Sequence, residues 1–164
     1  VVFSRDDDYT FGVLQSSIHW NWFTERCSTL TERYRYTSNS IFDSFPWPQT
    51  PKLEAVKSVA VAARKLRQVR RELCAKHDLS LRDLYRSAEL PGNHPLDDAQ
   101  NALDIAVRKA YGMTAKADPL KYLFDLNQSL AVLESQGKPI VGPGLPKAFV
   151  SDKSLRSNDC LRMP

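Results

Sequence analysis

Leu53, Val56, Val59, Ala63, Leu66, Val69 and Leu73 recur every three or four residues, with Lys57, Arg64, Lys65, Arg67, Arg70 and Arg71 between them. That period gathers the apolar positions on one face. It predicts a strongly amphipathic helix of roughly 25 residues, about 37 Å long at 1.5 Å per residue. The same period returns downstream. In "DLSLRDLYRSA", Ser80 is suited to an N-cap with Asp83 three residues on, which predicts a short helix. Leu96, Ala99, Leu103, Ala106, Val107 and Ala110 form the next apolar face. Pro95 fits its first turn and Gly112 its stop. A last face, Leu120, Leu123, Phe124, Leu126, Leu130 and Leu133, is opened by Asp118-Pro119 and closed by Gly137.

The first fifty residues are patterned differently. Phe11, Leu14, Ile18 and Trp22 keep helical spacing and predict one helix from Tyr9 to about Arg26. Ahead of it, "RDDD" reads as an acidic turn after a strand end. Leu30 to Ser38 alternates and carries aromatics, which predicts a strand. Along it Thr31, Arg33 and Arg35 share one face, and Glu32, Tyr34 and Tyr36 share the other. Ile41 to Phe45 reads as a second short strand or an extended turn. "SFPWPQTP" then puts three prolines into eight residues, a stiff domain boundary in which each proline favours an extended predecessor. From Lys138 an extended Pro/Gly segment leads into a polar end, "SDKSLRSNDCLRMP", expected to be mobile. The fold class is therefore mainly α with a small α+β N-terminal piece. That piece spans 1–50, about four helices span 51–137, and a tail spans 138–164. The mixed piece has too few strands to bury its own sheet. It must be completed by further residues or lean on the helices.

Composition narrows the chemistry. The chain has 164 residues, 42% of them hydrophobic, a net charge of +4 and a pI near 9.0. The mild positive bias is compatible with nucleic acid. Three widely spaced cysteines, Cys27, Cys74 and Cys160, form no CxxC pair, so neither a zinc ribbon nor a thioredoxin-type site is supported. Reduced thiols and a cytoplasmic setting are expected. No apolar run suits a transmembrane helix, and the N-terminus lacks a signal-peptide pattern. The chain opens on Val1 without a methionine, which reads as the cut edge of a longer protein or as processing. The six glycines are scattered and make no phosphate loop. His19, His77 and His94 have no partner at metal spacing, and Asp97-Asp98 offset a helix dipole. Ser16-Ser17 near His19 does not make a nucleophile–base pair at that spacing. No catalytic or metal-binding residue is assigned. The Arg33/Arg35 face is the sharpest candidate, because a guanidinium grips guanine bidentately in the major groove. A charged strand surface is the other reading. The basic helix is either a solvated face or a source of phosphate contacts.

The order of "FGVLQSSIHWNWFTERC", "YRYTSNSIFDSFPWP", an Ala- and Arg-rich helix, "LRDLYR" and "LDDAQNALDIAVRKAYGM" resembles the C-terminal part of the MmeI-like DNA methyltransferases. These large bacterial restriction–modification enzymes are similar to adenine-N6 methyltransferases. The resemblance spans about residues 9 to 135. It implies the end of a target-recognition domain, a Phe-Pro-Trp-Pro hinge and a C-terminal helical domain. It also implies that the S-adenosylmethionine motif and the Asn-Pro-Pro-Tyr motif lie upstream. This fragment is then non-catalytic and holds no cofactor, while the parent uses S-adenosylmethionine. The family's base-reading residues sit at alternate positions before the hinge, which implies base contacts for Thr31, Arg33 and Arg35, with the tyrosines packed behind. Weaker phosphate contacts fall to Arg64, Arg67, Arg70 and Arg71. Gln100 departs from the histidine of many relatives. The implied partners are double-stranded DNA and the methyltransferase domain of the same chain. The alternative is a helical protein-interaction module without catalysis, its basic helix meeting another protein. A small hydrolase built on Ser17 and His19 is a more distant rival.

Overall fold

The computed structural model describes residues 5–30 and 33–160. Six α-helices dominate: α1 Asp8–Gln15, α2 Ser17–Arg26, α3 Leu53–His77, α4 Leu81–Ala88, α5 Pro95–Tyr111 and α6 Pro119–Ser135. A two-stranded antiparallel hairpin, β1 Ser28–Leu30 and β2 Arg33–Arg35, follows α2. The fold class expected from the sequence is the one observed. α3 has the expected 25 residues and buries Val56, Val59, Ala60, Ala63, Leu66 and Val69. The Ser80 hydroxyl accepts from the Asp83 amide at 3.2 Å and caps α4. Gly112 closes α5 in the left-handed conformation that a residue without Cβ adopts freely.

The expected single helix at the N-terminus is two. Ser16 is extended, at φ −75° and ψ 156°. Its hydroxyl donates to the Val13 carbonyl at 2.7 Å and accepts from the His19 amide, so it ends α1 and caps α2. The break turns α2 away, and α1 is left to lie against α3. Gly12 makes that approach close. A Cβ built there would come within 2.7 Å of Val59 Cγ1 and 3.0 Å of Ala63 Cβ.

The strand expected over Leu30 to Ser38 is also different. Leu30 pairs with Arg33, Thr29 with Tyr34 and Ser28 with Arg35, so the chain reverses between Leu30 and Arg33. Ser38–Phe42 forms a π-helical turn where a short strand or extended turn was expected.

The Phe-Pro-Trp-Pro stretch is packed into the interior. Phe45 and Trp47 are buried in the same apolar cluster as Tyr9 and Val13 of α1, Trp22 of α2, Leu66 of α3 and Leu103 of α5. The Tyr111 hydroxyl donates to the Pro46 carbonyl at 2.9 Å, and the Asn127 amide to the Ser44 carbonyl at 2.8 Å. One core thus crosses the boundary drawn at residue 50. The N-terminal piece solves its shortage of strands by leaning on the helices.

The C-terminal segment is likewise seated, against the expectation of a mobile end. Two single 3-10 turns, Lys147–Phe149 and Lys153–Leu155, carry it back over α3, and Leu155 is fully buried. Gln49 holds its start by accepting from the Val141 amide at 2.8 Å and donating to the Val141 carbonyl at 3.0 Å. The three aspartates of the acidic turn each have a separate partner. Asp6 meets Arg156 at 3.2 Å, and Asp7 caps α1 by accepting from the Thr10 amide at 2.6 Å. Asp8 is fully buried against Arg64 and Arg67. No helix among the described residues is long and apolar enough to cross a membrane.

Candidate nucleic-acid interface

A two-stranded hairpin is marginal in water unless one face is packed. Here Tyr34 supplies the packing. Its ring meets Trp20 and Phe23 of α2 edge-on, at centroid distances of 6.2 and 5.7 Å. Two residues on, Tyr36 meets Phe23 at 5.4 Å and stacks on His19 at 5.8 Å. The tyrosines therefore pack behind the strand, against α2. Arg33 and Arg35 occupy the alternate positions of β2, where successive residues point to opposite faces. Arg35 is exposed. The side chain of Arg33 and the whole of Thr31 lie outside the described residues.

The platform under the hairpin is fixed from below. Trp22 is buried, donates its indole N–H to the Ile41 carbonyl at 3.2 Å, and lies 6.3 Å from Phe45. His19 stacks on Phe45 at 4.8 Å, and its Nε2 is 3.1 Å from the Tyr36 hydroxyl. That imidazole nitrogen is turned to a tyrosine, so no Ser17–His19 nucleophile pair is assembled; the Ser17 backbone amide is used on Asp104 Oδ1 at 2.8 Å. Burial lowers the His19 pKa from 6.5 to about 4. The neutral ring is the folded form, so its contribution is complete above 6.5 and is lost as pH falls from 6.5 toward 4. Stability should drop across that window by up to about 1.4 kcal/mol per pH unit. Denaturant melts of wild type and His19→Gln at pH 7, 6, 5 and 4 check this. The stability gap between the two should narrow steadily with acidity; a constant gap means that His19 does not titrate there.

Beside the hairpin opens a cleft of about 820 Å³, lined by Phe11, Leu14, Trp20, Phe23, Leu81 and Tyr85 among others. Trp20 and Tyr34 at this edge are 56% and 55% exposed, unusual for side chains of their size. Gln100 also lines the cleft. Its amide donates to the Gln15 carbonyl at 3.1 Å and to Asp104 Oδ1 at 3.3 Å, joining α5 to α1.

The four candidate phosphate ligands do not share one open face. Arg70 points toward the cleft, where it donates to Gln15 Oε1 at 2.9 Å and lies over the Tyr85 ring at 5.3 Å. Arg64 donates to Asp8 at 3.4 Å and to the Ser154 carbonyl at 3.0 Å. Arg67 pairs with Asp8, donates to the Ser157 hydroxyl at 3.0 Å, and covers the Phe11 ring at 4.7 Å. Arg71 meets Asp159 at 2.7 Å. These guanidinium groups are engaged within the chain. Sequence reasoning missed this because most partners lie more than fifty positions away. Among the described residues no cluster of His, Cys, Asp or Glu is placed to hold a metal ion.

The geometry is that of a small arginine-bearing hairpin propped on a helical body. Residues 1–49 match the family model described as the target recognition domain of MmeI. A solved structure is also similar, that of the Type IIL restriction-modification enzyme MmeI in complex with DNA. It shares 28% identity and a TM-score of 0.67 over 77% of this chain. The resemblance to the MmeI-like enzymes read from the sequence is thereby borne out. The chain covers 17% of the length of that structure's chain. No curated protein matches.

Proposed function

We propose that this chain is the DNA-recognition and structural-support portion of a site-specific DNA adenine-N6 methyltransferase of the restriction–modification type. The parent protein would act in the cytoplasm with S-adenosylmethionine bound by a domain outside these residues. One observation carries the reading. The segment that matches a target recognition domain contains a two-stranded hairpin, whose Tyr34 packs edge-on against α2 and whose β2 arginines take the alternate positions. Base contacts by Arg33 and Arg35 are the role this supports. Thr31 stays with them on the strength of the resemblance. The partners are double-stranded DNA and the methyltransferase domain of the same chain. The helices act as the buttress that fixes α2.

The test is binding of duplex DNA across a salt series. The affinity of the wild-type chain should fall steeply with salt, each phosphate contact adding about 0.9 to the log–log slope. Arg35→Ala should weaken binding to a duplex that carries the recognition site more than to one of random sequence, because base contacts specify and phosphate contacts only position. Salt-independent or absent DNA binding would favour a protein-interaction module.

A further inference from the structure

The basic stripe of α3 is covered in register by the C-terminal segment. Lys57, Arg64 and Arg71 are spaced by seven residues, so they share one face of the helix over about 21 Å. Along that face Lys57 meets Asp152 at 3.1 Å, and Arg64 meets the Ser154 carbonyl at 3.0 Å. Arg67 then meets Ser157 at 3.0 Å, and Arg71 meets Asp159 at 2.7 Å. The two chains ascend together, 57 to 71 against 152 to 159. The segment turns its two carboxylates inward, while Lys153 between them is exposed.

What fastens this strap is weak. Leu155 is the one buried apolar side chain of residues 152–160. The remaining fastenings are polar: the ion pairs of Asp152, Asp159 and Arg156 are partly exposed, a kind that contributes only about 0–1 kcal/mol each, and Ser157 and Cys160 donate to the buried Asp8 at 3.1 and 3.4 Å. Segments with few buried apolar contacts open locally at low cost. A polyanion competes for the same cations, and the exposed Lys153 attracts it.

We propose that Lys57 and Arg71, at the two ends of the stripe, bind the phosphate backbone of duplex DNA, and that residues 152–160 are an internal strap that masks them until DNA displaces it, while Arg64 and Arg67 stay on Asp8. The strap acts on sequence-independent affinity. It keeps a recognition module from being held on random DNA while the hairpin is unsatisfied. This inference rests on the reading of duplex DNA as the partner.

The test uses the whole chain and a duplex of random sequence. Asp152→Asn with Asp159→Asn frees Lys57 and Arg71, so the log–log salt slope should steepen by about 0.9 per freed cation, about 1.8 in all. Glu89→Gln with Glu134→Gln makes the same charge change on exposed acids away from the strap and should leave the slope unaltered. Equal shifts in the two double variants, or none in the first, would overturn the inference. A second readout needs no variant. Amide exchange over residues 152–160 should accelerate when duplex is added to wild type, and unchanged or slower exchange would also overturn it. If wild type binds and the strap variants match their controls, only the strap inference falls. If neither wild type nor any variant binds duplex, the reading of DNA as partner falls, and the strap inference with it.

Discussion

Trp22→Ala is expected to remove about 3–5 kcal/mol of stability, the range for emptying a buried aromatic site. The side chain has no exposed surface and touches elements from three parts of the chain. Its ring is 5.3 Å from Phe124 of α6 and 6.3 Å from Phe45 of the proline-rich stretch. Its indole N–H satisfies the Ile41 carbonyl of the π-helical turn. Truncation opens a cavity and also strips a buried carbonyl of its donor. Trp22→Phe keeps much of the volume but not the donor, and should cost less, about 1–3 kcal/mol. Urea unfolding followed by circular dichroism gives both values. Because α2 carries the hairpin, Trp22→Ala should also loosen the packing of Tyr34. Equal losses for the two variants would mean that the indole hydrogen bond, and not the volume, holds this site.

The second large effect is expected at Leu66. It sits at the middle of α3 with no exposed surface, on the stripe that meets α1 and α5. Leu66→Ala should cost about 2–5 kcal/mol. Domains of this size have only about 5–15 kcal/mol in total, so the loss should be plain in a melt. An unchanged melting temperature would show that the stripe is not the seam of the fold.

The helices of the second half were legible because their pattern and their ends agree. α3 follows from seven apolar positions, and α5 from an apolar face bounded by Pro95 and Gly112. The N-terminal piece was harder, for local reasons. Ser16 interrupts a helical spacing that continues on both sides of it, so periodicity alone runs straight through the break. Thr31-Glu32 contains no glycine, proline or asparagine. The apolar and polar alternation continues from β1 into β2 without such a signal, and the hairpin therefore reads as one longer strand. Gly12 did leave a trace: a glycine inside a helical pattern signals close packing, here against Val59 and Ala63. The seating of the tail left none. Asp152 and Asp159 find Lys57 and Arg71 about ninety positions away, and a polar composition looks the same whether its charges meet water or each other. The candidate site was half legible. Alternation placed the tyrosines behind the strand, and Tyr34 does pack against α2. The prop that steadies them, Trp20 and Phe23 beneath Tyr34, depends on the turn between α1 and α2.

The central claim is that β2 reads base pairs. Arg33 and Arg35 are two positions apart, about 7 Å along a strand, and each base-reading arginine discriminates by about 1–3 kcal/mol. The most direct measurement is the methylated sequence, read by sequencing DNA from cells that carry the full-length enzyme with Arg33→Ala, Arg35→Ala or Lys57→Ala. The account predicts that each hairpin variant relaxes or changes the site at one base position, while Lys57→Ala keeps the site. An unchanged recognition sequence at full stringency in both hairpin variants would contradict it, and would return the two arginines to a charged surface.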